Sequence, residues 1–324
     1  MKIALAARML AGILLATTMA TSGAADKVKL RLDWVYGAEH APIFLARDKG
    51  FFRDEGIDVE LLPGEGSSVT VKLVGNGDAE FGYATADQAL IAYSKGLPVV
   101  STALIAQINP TALIFKTSKP IKDLKSDLYG KTIGVQMKSN TARQWTALKQ
   151  SLGLDSSKFK EVPADGALVP LIASDRIDVG IGFYYNDGLK LRATGEDVAW
   201  ILFEDNGLKL YSSALITSAP LIEKNPDLVR RFTRAFVKGW VYSVAHPDES
   251  LKAFLTANPT TDQKYAQLKL PEILRGATVN DAAKGGIGAS TDEGWKSMQA
   301  LLLKMNMLDA PVDVSKAYTN RFLK

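Results

Sequence analysis

The sequence places aromatic and hydrogen-bonding side chains directly after predicted β-strands. Residues 27–32 alternate polar and apolar side chains, which is typical of a half-buried strand, and Trp34 follows them. Ligands of open α/β sheets bind outside the carboxyl ends of the strands, and an indole there can stack on a flat heteroaromatic ring. The alternative role for Trp34 is packing beneath a loop. We predict that it contacts a small ligand.

A second group of such side chains, Tyr184, Tyr185, Asn186 and Asp187, follows a later predicted strand. We expect one of the tyrosines to close over a ligand ring from the side opposite the indole. Asn186 or Asp187 would then form a hydrogen bond with an amidine edge of that ring. Exposed aromatic residues in a loop seldom serve packing alone, which favours a binding role.

Three further residues are predicted to contact the ligand, and two of them, Asp87 and His40, also have a plausible structural role. Tyr83 and Asp87 follow another predicted strand, with Thr85 and Gln88 beside them. Asp87 either accepts a hydrogen bond from an amino group of the ligand or caps the helix that follows. His40 precedes a predicted helix, where it either faces the ligand or satisfies backbone groups at the helix start. The sequence leaves these alternatives open.

Hydroxyl-rich helix starts occur at equivalent places in the two halves of the chain. Ser67 and Ser68 open a predicted helix after the second strand, and Asn140 and Thr141 open one in the second half. Free N–H groups at a helix start can hold an anion such as a sulfonate or phosphate. Ordinary N-capping explains the same residue types. Their symmetrical placement favours a binding role.

Composition excludes several kinds of chemistry. The chain has no cysteine, so thiolate catalysis, thiolate metal sites and disulfides are impossible. His40 and His246 lie too far apart in the sequence to form a metal-binding motif, and there is no Gly-x-Ser-x-Gly elbow. The glycine-rich segment 285–289 lacks the lysine of a phosphate-binding loop, and we predict a mobile loop there. We therefore predict no catalytic residue, no metal and no cofactor.

The charge of the chain is mild and evenly spread. A net charge of +4 results from 39 basic and 35 acidic residues. The sequence has no basic run interleaved with aromatic residues, so we predict no nucleic-acid partner.

Strands alternate with helices along most of the chain, which predicts parallel β-α-β units and an α/β fold. Segments 71–82 and 168–180 repeat one plan of helix, polar turn, aspartate and strand. We therefore expect two similar lobes, each a mostly parallel sheet flanked by helices, with 111–117 and 213–218 as the paired crossovers between them. The predicted boundaries are 26–115 plus 214–324 for lobe 1 and 116–213 for lobe 2. Apolar residues at helical spacing predict later helices at 226–244, 293–305 and 314–323.

Residues 1–25 have the order of a secretory signal peptide: a basic start, an apolar stretch, then small residues before charge appears. Gly23 and Ala25 favour cleavage near Ala25. A membrane anchor is the alternative, but the apolar run is shorter than the roughly 20 residues that span a bilayer. We predict an exported periplasmic protein without a lipid anchor, since there is no cysteine to carry a lipid.

Several motifs together resemble a known family of solute-binding proteins. The similarity begins at Leu32-Asp33-Trp34 and covers most of residues 28–245. Its motifs are, in chain order, 32–34, 40–46, 49–52, 55–59, 75–82, 183–188 and 203–207. They resemble the binding components of ATP-driven (ABC) importers for pyrimidine precursors of thiamine, whose relatives bind aliphatic sulfonates, taurine, nitrate and riboflavin.

This resemblance implies a two-lobe, type II periplasmic-binding-protein fold, with Asp33 joining Trp34 in the cleft between the lobes. It also implies an inner-membrane permease and its ATPase as partners, and we expect a monomer. The favoured ligand is a flat pyrimidine like the thiamine precursors. A small sulfonate or a similar anion is the alternative.

Some eukaryotic relatives in this family are pyrimidine synthases, which consume a bound pyridoxal phosphate and one of their own histidines. Those enzymes carry a cysteine-rich iron-binding run and a reactive histidine, which should align near Asp87. This chain has no cysteine and has an aspartate at that position. We therefore predict a binding protein and not an enzyme.

Overall fold

The computed structural model describes residues 24–137 and 139–324. The predicted signal peptide lies outside these residues, apart from its last two positions. None of the helices in the described part of the chain combines the length and apolar character needed to cross a membrane.

Strands and helices alternate through the first two thirds of the chain, and helices dominate afterwards. The described strands are β1 (Asp26–Arg31), β2 (Ile57–Leu62), β3 (Phe81–Thr85), β4 (Val99–Leu104), β5 (Thr111–Lys116), β6 (Thr132–Val135), β7 (Lys160–Pro163), β8 (Val179–Phe183), β9 (Val198–Leu202) and β10 (Ser213–Ser218). The described α-helices are α1 (Ala41–Asp48), α2 (Phe51–Asp54), α3 (Ser67–Asn76), α4 (Ala86–Ser94), α5 (Asn140–Leu152), α6 (Leu168–Ala173), α7 (Leu189–Ala193), α8 (Ala219–Lys224), α9 (Pro226–Ala245), α10 (Pro247–Ala257), α11 (Gln263–Gly276), α12 (Asp281–Gly285) and α13 (Asp292–Lys304).

Local signals explain where the helices that flank the cleft begin and end. Ser139 precedes α5, and its hydroxyl oxygen accepts a hydrogen bond from the backbone N–H of Thr141, as an N-cap does. Gly77 and Gly153 end α3 and α5 with φ of 84° and 63°, a left-handed conformation that suits glycine. Both helices therefore have the bounds that the sequence predicts.

The strands form two five-stranded sheets, one in each lobe. The order is β2-β1-β3-β10-β4 in lobe 1 and β7-β6-β8-β5-β9 in lobe 2. In lobe 1, β1 pairs in parallel with β2 and β3, whereas β10 runs antiparallel to β3 and β4. In lobe 2, β5 is the antiparallel strand. Four strands of each sheet thus share one direction, and the prediction of mostly parallel sheets flanked by helices is confirmed.

The antiparallel strand of each sheet is the strand that has just crossed from the other lobe. The predicted placement of residues 111–115 in lobe 1 is wrong, because β5 lies inside the lobe 2 sheet. Ser213 likewise belongs to β10 of lobe 1. Both strands are buried along almost their whole length, so each is more stable as an inner strand of a sheet than as a linker between the lobes. The connections between the sheets are residues 105–110 and 203–212.

Two C-terminal predictions also need correction. The segment 314–323 contains only the 3₁₀ turn Val314–Lys316, because its later residues pair with the edge of β4, where Ser101 donates to Ala317 and accepts from Thr319. The glycine-rich segment predicted to be a mobile loop is tied to the same strand, since the Leu104 N–H donates to the Gly288 carbonyl. Unpaired groups on an edge strand favour such contacts.

The helix α9 holds α1 against the lobe 1 sheet and so fixes the loop before α1. A Cβ atom on Gly239 of α9 would lie 2.5 Å from Ala46 Cβ and 2.8 Å from the Pro42 carbonyl oxygen. A stack of Phe81 on Phe232, with ring centroids 3.8 Å apart, continues the contact to the sheet. These helices therefore pack at a distance that only glycine permits.

Replacing this glycine tests the packing. We expect Gly239→Ala to lower the free energy of unfolding by about 1–3 kcal/mol through overpacking, as measured by urea denaturation. Gly276→Ala is the matched control, because no atom lies within 4 Å of a Cβ built there on α11. The control should be neutral or slightly stabilising, since alanine favours helix. Equal stability of both variants would contradict the close approach of α1 and α9.

Candidate functional site

A cleft of about 860 Å³ separates the two lobes and is lined by residues of both. All predicted ligand-binding residues except His40 and Asp87 line it. From lobe 1 these are Asp33, Trp34, Ser67, Ser68 and Tyr83, and from lobe 2 they are Asn140, Thr141, Tyr184, Tyr185, Asn186 and Asp187. The structure therefore brings most of the predicted residues together on one concave surface.

The lobe 1 wall contains one exposed and one buried aromatic side chain. Trp34 is 55% exposed although it is large and apolar, and it stands at the rim of the cleft. Tyr83 lies on β3, and burial raises the pKa of its hydroxyl well above the usual value, so it stays neutral. An exposed indole that lines a cavity is available for stacking on a ligand.

His40 positions Asp33 and does not line the cleft itself. It is fully buried, and its Nδ1 accepts a hydrogen bond of 3.2 Å from the Gly37 backbone N–H. A backbone N–H only donates, so in the neutral ring the proton is on Nε2, which lies 2.8 Å from Asp33 Oδ1 and donates to it. Of the two roles left open for this histidine, the structural one is observed, and it fixes a carboxylate at the cleft wall.

Asp87 joins the two lobes. Its buried carboxylate on α4 accepts a 2.8 Å hydrogen bond from the side-chain amide of Asn140 on α5. Thr85 is the N-cap of α4, so Asp87 does not cap that helix. The capping role expected for Asp87 is thus wrong, and the nearest donor to its carboxylate comes from the opposite lobe. Its role in binding a ligand stays a prediction.

Four of the predicted residues of lobe 2, Tyr184 to Asp187, belong to one π-helical turn, Tyr184–Gly188. Tyr184 is buried, packs on Trp200 and donates to Glu272 of α11 at 3.1 Å. Burial raises the pKa of its hydroxyl, which also accepts a hydrogen bond from Arg275. The Tyr184 hydroxyl is therefore hydrogen-bonded to residues of lobe 1, and the ring is not free to close over a ligand opposite Trp34.

Asp187 is turned into its own lobe. Its Oδ2 accepts hydrogen bonds from the Phe183 N–H at 3.1 Å and from the Gln136 side chain at 3.4 Å. Burial raises the pKa of this carboxyl group. Asp187 therefore shapes the turn and also borders the cleft.

A buried ion pair, absent from the sequence prediction, lies where α11 meets this turn. Lys269 Nζ is 2.6 Å from Glu39 Oε2 and 2.7 Å from Asn186 Oδ1, and it also lies near the rings of Tyr185 and Tyr265. Only 3% of Lys269 is exposed. The sequence contained one signal for it, a lysine within the apolar stripe of a helix. Further cleft-lining residues missed by the prediction are Glu39, Gln136, Met137, Arg143, Lys190 and Glu272.

The remaining helix-start residues line the cleft and are not N-caps, because Gly66 and Ser139 occupy the N-cap positions of α3 and α5. The Ser67 hydroxyl accepts a 3.1 Å hydrogen bond from the Thr85 N–H. The backbone N–H of Thr141 donates a hydrogen bond to the side chain of the N-cap residue Ser139. Ser67 and Thr141 line the cleft as well. In the described residues no group of three or more His, Cys, Asp or Glu side chains is arranged to hold a metal ion.

Acid unfolding tests the Glu39–Lys269 pair. Burial alone would raise the pKa of Glu39, but the charge and hydrogen bond of Lys269, together with His40 and a backbone hydrogen bond, outweigh it and lower the pKa from 4.5 to about 2. A lowered pKa in the folded state means that the pair stabilises the fold above about pH 4.5 and loses this effect as the pH falls towards 2. We expect the free energy of unfolding to fall less steeply over this range in Glu39→Gln/Lys269→Met than in the wild type, in urea titrations at fixed pH values.

Asp48→Asn, which removes the surface pair with Arg47, is the control and should keep the wild-type slope. The same slope in the double variant and the wild type would contradict a buried pair at this position.

Comparisons with known proteins agree with the fold and the motifs. The riboflavin-binding protein RibY of Chloroflexus aurantiacus is 27% identical over 306 residues, covering 92% of this chain and 86% of that protein. The formylaminopyrimidine-binding protein of Halalkalibacterium halodurans is 25% identical over 309 residues, covering 94% and 92%. A 4-amino-5-hydroxymethyl-2-methylpyrimidine phosphate synthase of Legionella pneumophila is 28% identical, covering 94% and 95%. The relatives therefore include both binding proteins and synthases.

The structural comparison identifies the fold. The crystal structure of the periplasmic aliphatic sulphonate binding protein SsuA from Escherichia coli matches with a TM-score of 0.70 at 12% identity, covering 90% of this chain and 97% of that chain. The predicted two-lobe periplasmic-binding-protein fold is thus confirmed. A family model described as NMT1/THI5 like matches residues 37–250. Since this match spans most of the sequence and contains all the motifs noted above except 32–34, the chain belongs to the NMT1/THI5 like family.

Proposed function

We propose that this protein is the periplasmic substrate-binding component of an ABC importer, and that it captures a small heteroaromatic solute between its lobes. The observation that carries this proposal is a cleft of about 860 Å³ with aromatic residues on both walls, Trp34 and Tyr83 on one and Tyr184 and Tyr185 on the other. Clefts of about 300–1,000 Å³ with a few fixed polar groups are typical of small-molecule sites.

The charge of the cleft favours a neutral or cationic amino-heteroaromatic ring over an anion. Its lining contains the carboxylates Asp33, Glu39, Asp187 and Glu272 and the cations Arg143 and Lys190. Carboxylates accept hydrogen bonds from the amino groups of such a ring, whereas they repel an anion. The riboflavin- and formylaminopyrimidine-binding relatives also support a flat, nitrogen-rich ligand.

A small sulfonate is the second candidate ligand. Ser67, Ser68 and Thr141 line the cleft at the starts of α3 and α5, and Arg143 lies on α5 close by in sequence. Helix starts and a guanidinium suit an oxyanion. The likeness to a sulphonate-binding protein concerns the fold alone, so these residues carry this alternative.

We propose a binding role and not synthesis, although some relatives are synthases. The chain has no cysteine, and its two histidines are His40 and His246. His40 is fully buried and donates to Asp33, which leaves it no contact with the cleft. The histidine expected in a synthase near Asp87 is replaced by a carboxylate that bonds to Asn140.

The proposed partners follow from the binding role. We propose an inner-membrane permease with its ATPase, to which the protein would deliver its ligand in the periplasm as a monomer. Cross-lobe hydrogen bonds such as those of Asp87 and Tyr184 support a closed state that such a permease would recognise. Closure by rigid movement of the lobes about the two connecting segments is the expected motion.

Trp34 provides the test of ligand class. Trp145, Trp240 and Trp295 are fully buried, whereas Trp200 is partly buried beside Tyr184. The part of the quenching by 4-amino-5-hydroxymethyl-2-methylpyrimidine or riboflavin that disappears in Trp34→Ala is therefore the part that Trp34 reports. We expect Trp34→Ala to weaken binding by about 2 kcal/mol, or roughly thirtyfold in Kd by calorimetry. Trp34→Phe is the matched control and should keep most of the affinity, because a ring remains.

The sulfonate alternative has its own variant. If methanesulfonate or taurine binds, and Ser67→Ala/Ser68→Ala/Thr141→Val abolishes that binding while Trp34→Ala does not, the heteroaromatic proposal fails. Normal binding of every probe by both variants would mean that the ligand lies elsewhere.

A further inference from the structure

The side-chain amide of Asn186 is held in one orientation at the edge of the cleft. Its Oδ1 accepts a 2.7 Å hydrogen bond from Lys269 Nζ and a 3.2 Å hydrogen bond from the Tyr265 hydroxyl. Asn186 also lines the cleft. One end of the amide is therefore hydrogen-bonded to α11, and the other end is left to contact a ligand.

The chemistry of the two donors identifies which end is which. The ammonium group of Lys269 can only donate, so the atom that faces it must be the amide oxygen. Burial raises the pKa of Tyr265, whose hydroxyl therefore stays protonated and able to donate. Within 24–137 and 139–324, the NH₂ group of Asn186 has no protein acceptor, and it is not among the polar atoms buried away from solvent.

The position of Lys269 is itself fixed. Glu39 lies 2.6 Å away and the side chain is almost fully buried. The rings of Tyr185 and Tyr265 lie 5.4 and 5.5 Å from its nitrogen, which limits its movement and adds cation–π attraction. Turning the Asn186 amide would bring its NH₂ group against this ammonium and would remove one acceptor from each donor, leaving Lys269 with Glu39 and the Tyr265 hydroxyl with the Tyr185 carbonyl oxygen at 3.3 Å.

We propose that Lys269 and Tyr265 are positioning residues that make Asn186 a hydrogen-bond donor to the ligand. The cleft then selects a solute with an acceptor at this place, a ring nitrogen or a carbonyl oxygen next to the aromatic wall. The inference rests on the proposed function, because it assigns the polarity of one contact in the same cleft. A donor aimed at an acceptor rejects an isostere that lacks it, since such a ligand would cover the NH₂ group without pairing it.

A pair of probes isolates this contact. The first is 4-amino-5-hydroxymethyl-2-methylpyrimidine, and the second is 2-amino-4-methylbenzyl alcohol, which has the same shape and substituents without the ring nitrogens. We expect wild-type protein to prefer the pyrimidine by on the order of 100-fold in Kd by calorimetry. Riboflavin, which has both ring-nitrogen and carbonyl acceptors, is the third probe.

Asn186→Asp is the decisive variant, because it keeps the oxygen that Lys269 needs and replaces the donor by an acceptor. We expect it to lose most of the preference for the pyrimidine over the benzyl alcohol. The double variant Lys269→Met/Glu39→Gln frees the amide to turn and should also reduce the preference, although Asn186 is unchanged. Undiminished preference in Asn186→Asp would overturn the inference while leaving the proposed function intact.

Thermal melts test the amide orientation without any ligand. Asn186→Leu removes the acceptor of Lys269 and should lower Tm by about 2–4 °C, whereas Asn186→Asp should melt at or above the wild-type temperature. A larger loss in Asn186→Asp than in Asn186→Leu would overturn the assigned orientation. If the wild type binds none of the three probes, the proposed function fails for these ligands, and the melts still decide the orientation.

Discussion

The burial of one ammonium group, that of Lys269, constrains how the two lobes meet. A charge removed from water persists only when it is paired and hydrogen-bonded. Here the counter-charge is Glu39 of lobe 1, and the neutral acceptor is Asn186 of lobe 2. The helix α11, the loop before α1 and the turn Tyr184–Gly188 are therefore held in their relative positions, because displacement of any of them would cost the ammonium at least one of its two partners.

This constraint reaches the ligand side through adjacent residues. Glu39 and His40 are consecutive members of the 3₁₀ turn Ala38–His40, and His40 orients the Asp33 carboxylate at the cleft wall. A single short turn thus carries the counter-charge of Lys269 and the support of Asp33. Its own position depends on α1, which is locked to α9 at Gly239. Core packing, the buried pair and the polar groups of the cleft form one connected arrangement.

Local patterns predicted most elements, because strand alternation, helix caps and glycine ends act within a few residues. The cleft residues after strands were also predictable, since parallel strands bring their carboxyl ends to one edge. The sequence did not predict which sheet contains β5. A strand with an apolar centre fits either lobe, and the hydrogen-bond partners of β5 are distant in sequence. Lys269 and Glu272 were missed for a similar reason: the position of α11 against the lobe 2 turn is set only by tertiary packing.

The contact between β4 and residues 317–319 has a consequence for how the protein can be handled. β4 is the outer strand of its sheet, and its backbone groups at Ser101 are satisfied by Ala317 and Thr319. A chain shortened to end before these residues would leave the backbone N–H and C=O of Ser101 unpaired on this outer strand. Such an edge recruits strands from other molecules, so the last segment of the sequence protects the folded protein from self-association.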